Sequence, residues 1–196
     1  TNAQAIALLD DIAYKNTSQD PTAGSRTVKL TTVTDSGSNT APNNAVATVN
    51  TSASITVVGV NDAPTLTAIA TGTIATPTVY TENGSAETLF RNASPSTIES
   101  GDRVDGLVIT VTGIVDGNDE KIIIDGEVID LATDVSTSTQ TSAGKYDYTV
   151  SYNSGTGATT ITVTGTGSGT MTVAETSSLV EGLKYRVDGE APTSGN

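Results

Sequence analysis

The chain repeats itself. The run from Leu8 to Lys15 lies without a gap over the run from Leu179 to Arg186, and Pro21, Thr22 and Gly24 recur as Pro192, Thr193 and Gly195. The offset is 171 residues throughout, and five of the 18 aligned pairs between Leu8 and Ser25 are identical. A fixed period of this kind identifies a tandem architecture before any element is assigned, because each copy must adopt the same local structure. The 196 residues then read as one period plus 25, a window on an array that cuts through a module. Residues 1–63 read as the C-terminal portion of one repeat and residues 64–196 as the N-terminal portion of the next. The two portions could combine as one permuted sandwich, or exchange between chains.

Within the period the patterning is that of strands. Thr fills 37 positions, whereas there are only one Phe, six Tyr and no Trp, which suits exposed strand surface more than a large aromatic core. Strands are expected at 26–34, 47–60, 77–81, 107–115, 120–131, 145–152, 159–166 and 169–173, separated by Gly, Asn and Asp breakers. Tyr146, Tyr148, Val150 and Tyr152 alternate with polar residues, so that segment has one aromatic and one polar face. Asp125-Gly126 between apolar runs predicts a two-residue hairpin inside 120–131. Gly165 to Gly169 reads as a hairpin tip, since no Lys follows it as a phosphate loop requires.

Helix is expected once per copy. Ile6, Leu9 and Ile12 recur at near-helical spacing over 3–12, and Ser178 with Glu181 has the spacing of a capping box before Leu183. Both read as short crossover helices on a β-sandwich, each followed by a strand-like Tyr. At 57–66 a β-branched strand gives way to Asn61-Asp62-Ala63-Pro64, and Pro64 stops the ladder and holds Ala63 extended. The fold class expected is therefore all-β, with a module boundary near Pro64.

Composition excludes much chemistry. With no Cys and no His there is no zinc finger, disulfide framework, imidazole base or Ser-His-Asp triad. A net charge of −13 with only nine basic residues opposes nucleic-acid binding, which needs clustered Lys and Arg. No apolar run is long enough for a membrane helix, and the first ten residues lack the marks of a signal peptide. An enzyme is not expected, since a carboxylate pair for glycoside hydrolysis would lack an aromatic platform for the sugar. What the residues do support is a hard cation held by oxygen.

The segment Val60 to Thr65 resembles the linker between cadherin-like repeats of large bacterial surface proteins, notably the extender repeats of RTX adhesins. The run from Leu8 to Val28 is similar to the second half of such repeats. Tyr80 to Gly84 with Leu89-Phe90, and Leu107 to Val111 leading into Asp116 to Asp119, are similar to their first half. The resemblance implies immunoglobulin-like or cadherin-like sandwiches joined end to end, calcium stiffening the linkers, and a location that is secreted or on the bacterial cell surface. It departs from vertebrate cadherins in its long period and in lacking their Leu-Asp-Arg-Glu motif, for which Leu9-Asp10-Asp11 is a loose substitute.

On that basis calcium is the expected cofactor. Its candidate ligands are Asn61 and Asp62 at the junction, Glu82 opening the next module, Asp116, Asn118, Asp119 and Glu120 in the acidic loop, and Asp11. The acidic loop lacks the full EF-hand pattern and flanking helices. The expected partners are neighbouring repeats of the same chain. The other functional class open to the sequence is an adhesive module, with 159–164 presenting a hydroxylated face to a carbohydrate or protein.

Overall fold

The computed structural model describes residues 2–38, 40, 44–73, 75–81 and 84–189, and they form two compact units, Thr1–Asp62 and Ala63–Asn196. In the first, helix α1 (Asn2–Asp10) is followed by an irregular segment and a long antiparallel ribbon of β1 (Gly24–Thr34) and β2 (Val46–Val57). The ribbon pairs Gly24 with Val57 at one end and Thr34 with Val46 at the other, with a register shift between Leu30 and Thr32. Among the described residues of this unit, Ala45 and Val57 are the buried hydrophobics.

The second unit is an all-β sandwich with one helix. Its strands are β3 (Thr65–Ala70), β4 (Glu87–Thr88), β5 (Phe90–Ser96), β6 (Leu107–Thr112), β7 (Glu120–Ile124), β8 (Glu127–Asp130), β9 (Val135–Gln140), β10 (Tyr146–Asn153), β11 (Ala158–Gly165) and β12 (Lys184–Val187). One four-stranded sheet runs β6-β11-β10-β9, a second runs β4-β12-β7-β8, and β3 pairs with β5; every pairing is antiparallel. Ile122 and Ile124 from β7, Ile129 from β8, Tyr146, Tyr148 and Val150 from β10, and Ile161 and Val163 from β11 close on one another in a single core. The period-2 alternation of these strands turns one face of each sheet inward.

Asp125 and Gly126 form the expected two-residue turn, with φ of 49° and 80°, and Ile124 pairs with Glu127 across it. Both central residues at positive φ match the turn to the twist of the strands, which is why Gly stands second. The Asp125 carboxylate also accepts the Thr141 hydroxyl at 2.8 Å and the Lys145 N–H at 3.2 Å, tying the β9–β10 turn to the β7–β8 hairpin. The tip at 165–169 is a turn as well. A Cβ on Gly165 would lie 2.0 Å from the Thr170 carbonyl oxygen, so no side chain fits there.

Helix α2 (Val173–Glu181) begins six residues before the position expected from Ser178 and Glu181. The capping box is formed instead by Thr172, whose hydroxyl accepts the Glu175 N–H at 3.1 Å while the Glu175 carboxylate accepts the Thr172 N–H at 2.7 Å. That second bond is foremost in holding the Glu175 carboxyl below its usual range. Shifted by 171, the bounds of α2 become residues 2–10, which are the bounds of α1. Thr1 and Gln4 repeat the spacing of Thr172 and Glu175 in the sequence.

Other expectations needed correction. Residues 77–81 form no strand, and 169–173 contributes isolated bridges at Gly169 and Met171 before α2 begins. The strand expected at 47–60 ends at Val57. Strands β3, β4, β5 and β9 were not anticipated; β5 carries Pro95 and a positive φ of 52° at Asn92, and β9 is nearly all Ser and Thr.

Candidate functional site

The acidic loop links β6 to β7 and contains a single 3-10 turn, Gly117–Asp119. It brings Asp116, Asn118, Asp119 and Glu120 together in the chain. Glu120 is buried, and both of its oxygens are used within the fold. Oε1 accepts the N–H of Val115 at 2.6 Å and of Asp116 at 2.9 Å, and Oε2 accepts the Tyr185 hydroxyl at 2.8 Å. Glu120 thus fixes the loop's entry and ties β7 to β12. Burial, and then that hydrogen bond to Glu120, raise the Tyr185 hydroxyl well above its ordinary value. The ring of Tyr80 stands edge-on to Tyr185 with centroids 6.2 Å apart, and the Tyr80 hydroxyl donates to the Val187 carbonyl at 2.7 Å.

The rest of the loop is also engaged. Asn118 Oδ1 accepts the Thr133 hydroxyl at 2.9 Å, and the Lys121 ammonium bonds both the Asn118 carbonyl and Asp130. Asp119 accepts the Asp188 N–H through its carbonyl at 2.8 Å. Calcium takes six to eight oxygens. Here a lysine ammonium already occupies the carbonyl side of the loop, and one carboxylate is committed to amides and a phenol. The Glu120 carboxylate and the Asn118 amide oxygen thus serve the fold itself. Among the described residues, no group of three or more His, Cys, Asp or Glu is placed to hold a metal ion.

Asn61 is exposed and its side-chain amide donates to the Asp62 carbonyl at 3.4 Å; Asp62 is half-buried and closes the first unit. Asp11 is exposed in the turn that ends α1. Glu82 lies outside the described residues. Asn61 and Asp62 offer a carboxamide and a carboxylate in adjacent positions, the right chemistry for a hard cation but only part of a shell.

Two features were missed by the sequence reading. One is the Glu120–Tyr185 bond, which joins residues 65 positions apart and has no local signal. The other is a cleft of about 550 Å³ in the second unit, whose lining includes Ile123, Asp125, Tyr146, Leu179 and Lys184. Tyr146 donates its hydroxyl to the Glu175 carbonyl at 2.8 Å, and burial foremost, with Asp125 and Glu175 adding to it, pushes that hydroxyl up to about 12. Among the described residues no helix is long and apolar enough to cross a membrane. Comparison with known proteins finds no family model, no curated protein and no solved structure that matches this chain.

Proposed function

We propose that this chain is a structural extender segment of a long, repetitive surface adhesin, built from cadherin-like modules in tandem and secreted to the bacterial cell surface. The observation that carries the reading is the recurrence of one nine-residue helix at an offset of 171, followed in each copy by a Tyr four residues past its end. Repetition of a whole supersecondary unit is the signature of a quasi-linear array, whose role is reach. The acidic surface and the small number of basic residues agree with a spacer that stays soluble and resists self-association.

Calcium in this reading acts at the junction, through Asn61 and Asp62. A divalent ion drawing oxygens from both sides of a Pro-marked linker would restrict its pivoting. Calorimetric titration of the chain with calcium, compared with the double variant Asn61→Ala, Asp62→Ala, tests it. Saturable binding that the variant loses is expected; no binding, or binding that survives the substitutions, would remove calcium from the account.

A second reading, an adhesive module for a carbohydrate or protein, is favoured by the 550 Å³ cleft, where apolar Ile123 and Leu179 lie beside Asp125 and Lys184. Saturable binding on a glycan array, lost in Lys184→Glu, would support it.

A further inference from the structure

Helices α1 and α2 share bounds at the repeat offset but not surroundings. Leu179, Val180 and Leu183 are 2, 4 and 2% exposed, whereas their equivalents Leu8, Leu9 and Ile12 are 69, 49 and 53% exposed. The equivalent of half-buried Tyr185 is exposed Tyr14. In the second unit α2 and β12 are seated by a layer from the same unit. Ala93 in β5 donates its N–H to the Glu181 carboxylate at 2.9 Å and accepts the Ser177 hydroxyl at 2.8 Å, Tyr146 donates to the Glu175 carbonyl, and β12 pairs with β4 and β7 on its two sides. The segment equivalent to β12 is 13–16, and among the described residues none pairs with its backbone.

Among its described residues the first unit buries two hydrophobic side chains, Ala45 and Val57. A two-stranded ribbon is marginal in water unless a further layer covers its apolar face. Here α1 and the ribbon line an open apolar groove of about 220 Å³, formed by Leu9, Ile12, Val28, Leu30, Thr51 and Ala53. Three aliphatic side chains, Leu8, Leu9 and Ile12, are thus exposed where their equivalents are buried, and exposed apolar patches mark interaction sites.

We propose that the face formed by Leu8, Leu9, Ile12 and Tyr14 is a docking surface for a β-layer of the same kind as residues 63–171 of this chain, joined to α1 as Met171 is joined to Thr172. The contact repeats, one period earlier, the interface that α2 and β12 already make. Asp10 stands where Glu181 accepts the Ala93 amide, so the incoming layer presents a backbone N–H there. Ile6 replaces Ser177, so that second bond gives way to an apolar contact. Tyr14 requires a buried carboxylate playing the part of Glu120, and segment 13–16 is completed as a strand between two neighbours. The inference rests on the repeat reading of the proposed function but not on calcium.

The test appends a second copy of residues 63–171 directly ahead of Thr1 in the full chain and compares amide hydrogen exchange with and without the addition, both in EDTA. Amides of 5–16 should exchange at least about tenfold more slowly in the extended chain, as those of a docked element do. Leu8→Asp should abolish that protection in the extended chain and leave the exchange of the original chain unchanged. Unchanged exchange at 5–16 would overturn the proposal, and so would protection that survives Leu8→Asp. An appended layer that stays unfolded would also overturn it, since α1 would then have failed to seat it. Protection in the original chain that rises with protein concentration would assign the face to a second copy of the whole chain instead. Because EDTA is present throughout, loss of calcium binding at Asn61 and Asp62 does not affect the outcome.

Discussion

Replacing Glu120 with Ala separates the structural role of the acidic loop from a metal-binding one. The side chain is buried and accepts three hydrogen bonds, two from consecutive backbone amides and one from Tyr185. A hydrogen bond to a charged group contributes about 1.5–3 kcal/mol net, and a buried donor left unsatisfied costs about 1–3 kcal/mol. Val115 is exposed and Asp116 half-buried, so water reaches their amides and offsets part of the loss. Tyr185 is half-buried as well. Losing one charge-assisted bond and partly rehydrating two amides gives a destabilisation on the order of 3 kcal/mol, which for a unit of this size lowers Tm by about 10 °C. Glu120→Gln keeps an oxygen for the amides and costs about 1 kcal/mol. Equilibrium urea unfolding followed by far-UV circular dichroism and tyrosine fluorescence, run in calcium and again in EDTA, reads the difference. The reasoning requires the same loss in both buffers. A loss below about 1 kcal/mol for Glu120→Ala, or one that vanishes in EDTA, would refute it.

Other consequences follow from the same geometry. Leu179→Ala removes a fully packed side chain and should cost about 2–5 kcal/mol, whereas Leu8→Ala, its repeat equivalent, should change stability by less than about 0.5 kcal/mol in urea titrations of the same chain. Gly126→Ala places a Cβ at a φ of 80° in the tight turn and should cost about 1 kcal/mol, with the smallest loss from Asn at this position. Tyr146 and Tyr185 keep their protons in the folded unit above the pH at which free tyrosine loses them. The unfolded chain then binds fewer protons than the native one, so the stability they contribute is complete below about pH 10 and declines as pH rises further. Tyr185→Phe should flatten that alkaline decline in a pH series of thermal melts.

The parts of the fold that were legible in the sequence are those where one local signal decides. Asp125-Gly126 demanded a hairpin, and Tyr146 to Tyr152 alternated strictly. The helix start was ambiguous because Thr172 with Glu175 and Ser178 with Glu181 both satisfy the capping pattern, and tertiary seating of Leu179 and Leu183 chose the earlier one. Strand β9 has too few apolar residues to show alternation, and β5 is held by its contacts with β3 and α2 despite Pro95 and the positive φ of Asn92. The acidic loop was legible as an acidic loop only. That Glu120 bonds Tyr185, and that Asn118 bonds Thr133 and Lys121, depended on the approach of distant strands, which is set by the sheet and not by spacing.

Small-angle X-ray scattering of the full chain in calcium and in EDTA tests the extender reading most directly. A calcium-stiffened junction predicts a well-defined maximum dimension in calcium and a shorter, broader distribution of distances after chelation, with Asn61→Ala, Asp62→Ala resembling the chelated state in both buffers. Superimposable distance distributions in calcium and EDTA would contradict it.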